Sequence, residues 1–186
     1  TIGIKQDPTW HPEGDVYEHS KQAMDNAVNY MYESDDQKVT MVLAALCHDL
    51  GKVVTTKKID GRYRAFNHDV AGDPLASSLL DRIINNKDIK KKILILVRQH
   101  MMPYALVQNN SSAAAYKRLA KKIAPHVTLT ELARLAYCDK GARSIHKESL
   151  FEVAPQEIIE VFIKKIKEYG VEHNPEEPTL SGKDII

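Results

Sequence analysis

Apolar residues recur at spacings of three and four along most of this chain, a period that predicts helices rather than strands. Val16, His19, Ala23, Ala27 and Tyr30 share one face of a helix over residues 15–32, with Asp15 as its N-cap. Ser34-Asp35-Asp36 caps a second helix running to about Leu50, where Val39, Val42, Leu43, Leu46 and Cys47 make a wide apolar face. Gly51 follows, suited to the left-handed conformation that stops a helix. The period changes to two on either side of Asp60-Gly61, which predicts a short exposed β-hairpin near residues 53–66. Asn67-His68-Asp69 can cap a helix over residues 70–84, and Gly72 and Pro74 delay its proper start to about Asp73. Ile89, Ile93, Leu94, Leu96 and Val97 turn inward on a helix over residues 88–100 that Pro103 ends. A polar bend at residues 108–112 leads into a helix ending at Pro125. Thr128 or Thr130 caps the next, whose stripe of Leu132, Leu135 and Ala136 carries Asp139. The last amphipathic helix, residues 155–169, has Pro155 at its first position and stops at Gly170.

The pattern describes an all-α bundle with one small hairpin. Residues 1–14 hold Asp7-Pro8, His11-Pro12 and Glu13-Gly14, and so read as an irregular lead-in. Residues 15–169 form the helical domain, and residues 170–186 a linker that opens a further C-terminal element. With 186 residues, 43% hydrophobic and 27% charged, the chain can bury a core without disulfides. Its net charge of +1 gives no whole-chain field to gather nucleic acid or lipid, so phosphate recognition has to be local. Two local patches qualify: Lys87, Lys90, Lys91 and Lys92 on one helix, and Lys117, Arg118, Lys121 and Lys122 on another. They are ordinary solvated faces or contacts to RNA. The longest apolar run falls far short of the roughly 20 residues of a membrane span, so the expectation is a cytoplasmic protein with no membrane partner. Cys47 and Cys138 read as reduced, buried small hydrophobes, Cys47 as a packed neighbour of a metal rather than a ligand.

Candidate chemistry gathers at helix ends. His48-Asp49 alone is a weak signal, because neighbouring helical residues point about 100° apart and cannot surround an ion. His19, His68, His100 and Asp139 each stand at or near the end of an element, and the joint spacing makes a metal site the best reading. Imidazole and carboxylate together suit Mn, Ni, Co, Fe or Zn, with Mg also in range and one or two ions held. His19, His48, Asp49 and Asp139 would take one ion, and Asp49 would orient a nucleophilic water or bridge to a second ion on His68 and His100. Such a site promotes in-line displacement at phosphorus. Lys52 and Arg143, just beyond two of the ligands, are placed to hold phosphate oxygens. His11 stands in the lead-in as a substrate or supporting group, while His126, His146 and His173 lie in loop or tail contexts.

The H, HD, D pattern resembles the HD-domain metal-dependent phosphohydrolases over most of the chain. More narrowly, the run from Gln6-Asp7-Pro8-Thr9-Trp10-His11 to His19 is similar to the opening of the HD domain in bacterial CCA-adding tRNA nucleotidyltransferases. Residues 43–52, 61–69, 98–103 and 136–143 are similar to its later blocks, although Asp69 stands where that pattern has Glu. The closing Ser181-Gly182-Lys183-Asp184-Ile185-Ile186 is similar to the start of a further helical part. The resemblance implies ligands at His19, His48, Asp49 and Asp139, with His68 and His100 as additional site histidines. It also implies 2',3'-cyclic phosphodiesterase, 2'-nucleotidase or phosphatase activity on a nucleotide or RNA end, with tRNA as a partner. No nucleotidyltransferase head is present in these residues, so the expectation is either a fragment of a multidomain enzyme, with that head as a missing domain or partner, or a stand-alone relative that kept the hydrolase part. The rival readings are a nucleoside 5'-monophosphate or triphosphate hydrolase, and a tRNA-binding module that keeps a metal without turnover.

Overall fold

The Asp15 carboxylate starts the first helix: one oxygen accepts from the Glu18 amide at 3.0 Å and the other from the Gly3 amide at 2.6 Å. Helix cap and lead-in are thereby tied together, and an isolated bridge between Lys5 and Asp15 adds to the tie. The computed structural model describes residues 1–141 and 155–173. Helix α1 is Val16–Val28, and α2 is Asp35–Cys47, capped by Ser34 on the Gln37 amide. A short α3, Lys52–Thr55, precedes strands β1 (Lys57–Ile59) and β2 (Arg62–Arg64). Then come α4 (His68–Leu80), α5 (Lys87–Gln99), α6 (Met102–Gln108), α7 (Ala113–Ile123), α8 (Leu129–Gly141) and α9 (Pro155–Glu168). Arg143, His146 and the closing 181–186 segment lie outside the described residues.

The bundle is assembled around α2 and α8. Helix α1 packs on both, α2 packs on α5, α5 on α4, and α9 closes over α6 and α8. Ala23 and Ala27 of α1 meet a helix whose own buried face carries Ala44 and Ala45, so two backbones can approach closely. Large side chains fill the rest: Leu80, Ile93, Leu96, Leu132 and Leu135 are fully buried, and the Tyr116 and Phe162 rings stack at 5.5 Å. Thr128 and Glu131 make a reciprocal capping box at the start of α8, with Thr128 Oγ1 accepting from the Glu131 amide and Glu131 Oε2 from the Thr128 amide. No helix among the described residues is long and apolar enough to cross a membrane.

Several local expectations are redrawn by packing. The hairpin pairs Lys57 with Arg64, Lys58 with Tyr63 and Ile59 with Arg62 around Asp60 and Gly61, both at positive φ, as a tight two-residue turn requires. Residues 52–55, expected to lead into its first strand, are helical instead. Gly51 has φ −63° and passes the right-handed turn onward, its carbonyl accepting from the Val54 and Thr55 amides. Helix α4 begins at His68 rather than Asp73 and runs through Gly72 and Pro74. Asn67 enters it in the left-handed region and donates no side-chain cap. Pro103 both ends α5 and opens α6, a helix absent from the periodicity.

Gly51 is a glycine for space, not for handedness. A Cβ built there would lie 1.9 Å from the His68 carbonyl oxygen and 2.7 Å from the Gly72 amide nitrogen, both backbone atoms that cannot swing away. This contact seats the first turn of α4 directly beside the turn that carries Asp49. Gly51→Ala is expected to destabilise the fold by about 3 kcal/mol, the upper end of the overpacking range. Urea denaturation measures it, and an unchanged midpoint would contradict the close approach.

Candidate metal centre

Four imidazoles arrive with the same tautomer because each Nδ1 faces an atom that can only accept. His48 Nδ1 donates to the Ala45 carbonyl at 2.7 Å, His68 Nδ1 to Ala65 at 2.8 Å and His100 Nδ1 to Val97 at 2.6 Å. His19 Nδ1 donates to the Glu13 carboxylate at 2.6 Å. Four Nε2 lone pairs are left, and they converge. His19 Nε2 lies 3.3 Å from His48 Nε2, and His68 Nε2 lies 3.1 Å from His100 Nε2. Bare lone pairs at such distances repel, and a shared cation relieves them.

Asp49 stands between the two pairs. Its Oδ2 is 3.3 Å from His48 Nε2 and 3.6 Å from His19 Nε2, while its Oδ1 is 3.3 Å from His68 Nε2 and 3.9 Å from His100 Nε2. Asp139 Oδ1 adds a fourth donor to the first half, 3.0 Å from His19 Nε2 and 3.9 Å from His48 Nε2. Neighbouring ligand atoms around a cation at about 2.1 Å stand about 3 Å apart, so the donor set fits a divalent metal in each half. Groups able to hold an ion include His19, His48 and Asp49 on one side and Asp49, His68 and His100 on the other.

The electrostatics keep Asp49, Asp139 and His100 ready to bind. Burial works to protonate Asp49, but Lys52 and the neighbouring His48 and His19 hold its carboxyl well below the usual carboxylate range. Asp139 is likewise held low against its burial, chiefly by Lys140 and His19. Burial, then the charges of His48 and His68, push His100 down to about 3, which leaves its Nε2 lone pair open at neutral pH. His19 moves the other way: burial disfavours its charge, but hydrogen bonds to Asp139 and Glu13 outweigh that and raise it. Cys47 and Cys138 are buried thiols pushed up to about 12, and neither belongs to the clusters able to hold an ion.

Asp49, His68, His100 and Asp139 line a cavity of about 370 Å³ together with Gln6, His11, Lys52, Tyr63, Tyr104 and Lys140, while His19 and His48 are buried outside that lining. Of the residues expected from the sequence, His19, His48, Asp49, His68, His100 and Asp139 come together, Lys52 lies 2.7 Å from Asp49 Oδ2, and Arg143 is outside the described residues. His11 also arrives, its Nδ1 2.8 Å from Glu13 and its ring edge-on to His19.

Glu13, Gln6 and Lys140 were not anticipated. Glu13 is held down to about 2 because its hydrogen bonds to His11 and His19 outweigh its burial. It reaches both only because Gly14, at φ +117°, turns the chain back, a geometry without periodicity to betray it. Lys140 had one visible sign, its position next to Asp139.

A family model described as HD domain matches residues 16–137. The chain belongs to the HD domain family. Outside this match, the lead-in delivers Gln6, His11 and Glu13 to the HD domain's site. Similar curated relatives are Multifunctional CCA proteins. That of Pasteurella multocida (strain Pm70) is 34% identical over 70 residues, which is 38% of this chain and 16% of that protein. That of Hahella chejuensis (strain KCTC 2396) is 33% identical over 99 residues, 53% of this chain and 22% of that protein. That of Alkalilimnicola ehrlichii is 28% identical over 111 residues, 60% and 25% of the two. The matches span a quarter or less of these relatives' lengths. No solved structure matches.

Glu13 fixes the His19 tautomer from outside the ligand set. Glu13→Gln is expected to weaken retention of Mn(II) by roughly 10–100-fold, the usual cost of losing such a partner. Competition with a chelating dye measures this, and wild-type retention would remove Glu13 from the site.

Proposed function

We propose that this HD domain is a metal-dependent phosphohydrolase acting on a nucleotide or RNA-end phosphoester, of the 2',3'-cyclic phosphodiesterase, 2'-nucleotidase or phosphatase type. One observation carries the reading: Asp49 presents an oxygen to each of two imidazole pairs and lines a cavity that also holds two buried lysines. His19, His48, Asp49 and Asp139 would hold one divalent ion, and His68 and His100, with Asp49 shared, a second. When bound, such an ion supplies Lewis-acid polarisation and a lowered pKa for water at phosphorus.

The chain's own residues do the rest. The Nδ1 hydrogen bonds fix the four imidazoles before substrate arrives, so no reorganisation is needed at the moment of reaction. Asp49 orients the attacking water from its central position. Lys52 holds a phosphate oxygen as a point charge, and Arg143 is assigned the same task. The enclosed floor keeps these charges away from bulk water, which strengthens them. Residues 15–169 act as the HD unit, residues 1–14 as a lead-in that contributes to the site, and residues 170–186 as a join to a further element. The names of the relatives make tRNA a candidate substrate or partner and a nucleotidyltransferase part a candidate neighbour. A groove lined by Lys91, Arg98 and Lys122 favours an RNA-holding role beside turnover.

Metal analysis with a screen of 2',3'-cyclic nucleotides, 2'-, 3'- and 5'-monophosphates and triphosphates tests the proposal. Turnover should require Mn, Ni, Co or Mg and vanish with a chelator. Asp49→Ala should lose both retained metal and hydrolysis, and full activity in that variant would sink the mechanism. Lys52→Ala should mainly raise KM. Preference for 5'-monophosphates or triphosphates would move the substrate to the rival class, and salt-sensitive RNA binding without phosphate release would favour a binding module.

A further inference from the structure

The carboxylates on the cavity floor are already balanced by cations of the protein itself. Lys52 Nζ lies 2.7 Å from Asp49 Oδ2, and Lys140 Nζ lies 2.7 Å from Asp139 Oδ2. Both ammonium groups are buried and both residues line the same cavity. The two pairs differ in one respect. Lys52 occupies the Asp49 oxygen that faces His19 and His48, so it competes with an ion there. Lys140 takes the other oxygen of Asp139, since Oδ1 is the one that faces His19, and can stay while an ion is held.

Loading a divalent ion therefore leaves an excess of positive charge in an enclosed space, which a phosphate dianion cancels. Gln6 points to the same ligand independently. Its Oε1 accepts from Lys52 Nζ at 2.7 Å, while its buried Nε2 has no hydrogen-bond partner among the described residues, and it lines the cavity. An amide donor lacking an acceptor beside the Lys52 ammonium, in a cavity that Lys140 also lines, is suited to an anionic oxygen.

We propose that Gln6 and Lys140 join Lys52 in an anion cradle that binds the substrate phosphate and couples its binding to that of the metal. The proposal rests on the phosphohydrolase reading for its substrate class. Gln6 and Lys140 lie outside the segment that the family model matches, and Lys52 lies within it. Lys140 also sits 5.6 Å from the Tyr104 ring centroid, a face along which the ammonium can turn from carboxylate to phosphate.

The test reads binding rather than turnover. Mn(II) affinity of the full 186-residue chain is measured by calorimetry with and without inorganic phosphate, for wild type, Lys140→Met and Gln6→Leu. Phosphate should tighten Mn(II) binding by roughly tenfold in wild type, and Mn(II) should tighten phosphate binding equally. Lys140→Met should lose most of this gain while binding Mn(II) alone no more weakly than wild type, because Lys140 holds the Asp139 oxygen that does not face His19 and its removal takes away a nearby positive charge. A residue that only supports the fold or the ligands would weaken Mn(II) alone. An undiminished gain in Lys140→Met, or no gain in wild type, overturns the cradle. Where circular dichroism shows Lys140→Met unfolded, Gln6→Leu decides on the same criterion. Hydrolysis by wild type with an undiminished gain in the variants removes the cradle alone; a variant-sensitive gain without any hydrolysis removes the hydrolase reading alone.

Discussion

The Asp49 carboxylate is the group on which the rest of this structure depends. A buried, ionised carboxylate costs several kcal/mol unless opposite charge and hydrogen-bond donors surround it. Here the compensation comes from five different elements: Lys52 at the start of α3, His19 on α1, His48 just past α2, His68 at the start of α4 and His100 just past α5. Each of these can reach Asp49 only if its helix begins or ends at the right place. The polar centre thus acts as a register mark for the bundle, because slipping any one helix would leave a charge buried without its partner.

Helix ends serve this purpose for a reason found in the backbone. The last carbonyls of a helix have no intrahelical donor. Ala45 and Val97 offer such carbonyls, and the imidazoles of His48 and His100 fill them with Nδ1. Closing the helix and choosing the tautomer are therefore one act, which leaves Nε2 for the site. Gly51 completes the arrangement by letting α4 approach the Asp49 turn at backbone distance. A side chain there would hold His68 away from the shared carboxylate, and the second half of the site would open.

The segment before the helices gives the centre its remaining character. Its ends are pinned by Asp15 to Gly3 and to the first turn of α1, and between those pins it carries Gln6 and His11 to the cavity and Glu13 to the His11 and His19 rings. His19, His48, Asp49, His68 and His100 lie within the segment that the family model matches, whereas Asp139 just after it and Gln6, His11 and Glu13 before it do not.

The sequence by itself determined the helical bundle, the hairpin turn at Asp60-Gly61, the HD family pattern and six residues that the fold gathers at one centre. These are legible because periodicity, caps and turn dipeptides act over a few neighbours, and His and Asp at element ends are conspicuous against apolar faces. Tertiary structure alone decided that Gly51 serves close packing, that α3 and α6 form, and that α4 starts at His68. It alone decided that Glu13, Gln6 and Lys140 belong to the site. Each of those outcomes depends on atoms brought together from distant positions: Gly51 with His68, Lys52 with Gln6, His19 with Asp139. No local pattern encodes such a meeting, because the energy that selects it appears only when a buried charge or a backbone contact has to be satisfied across the core.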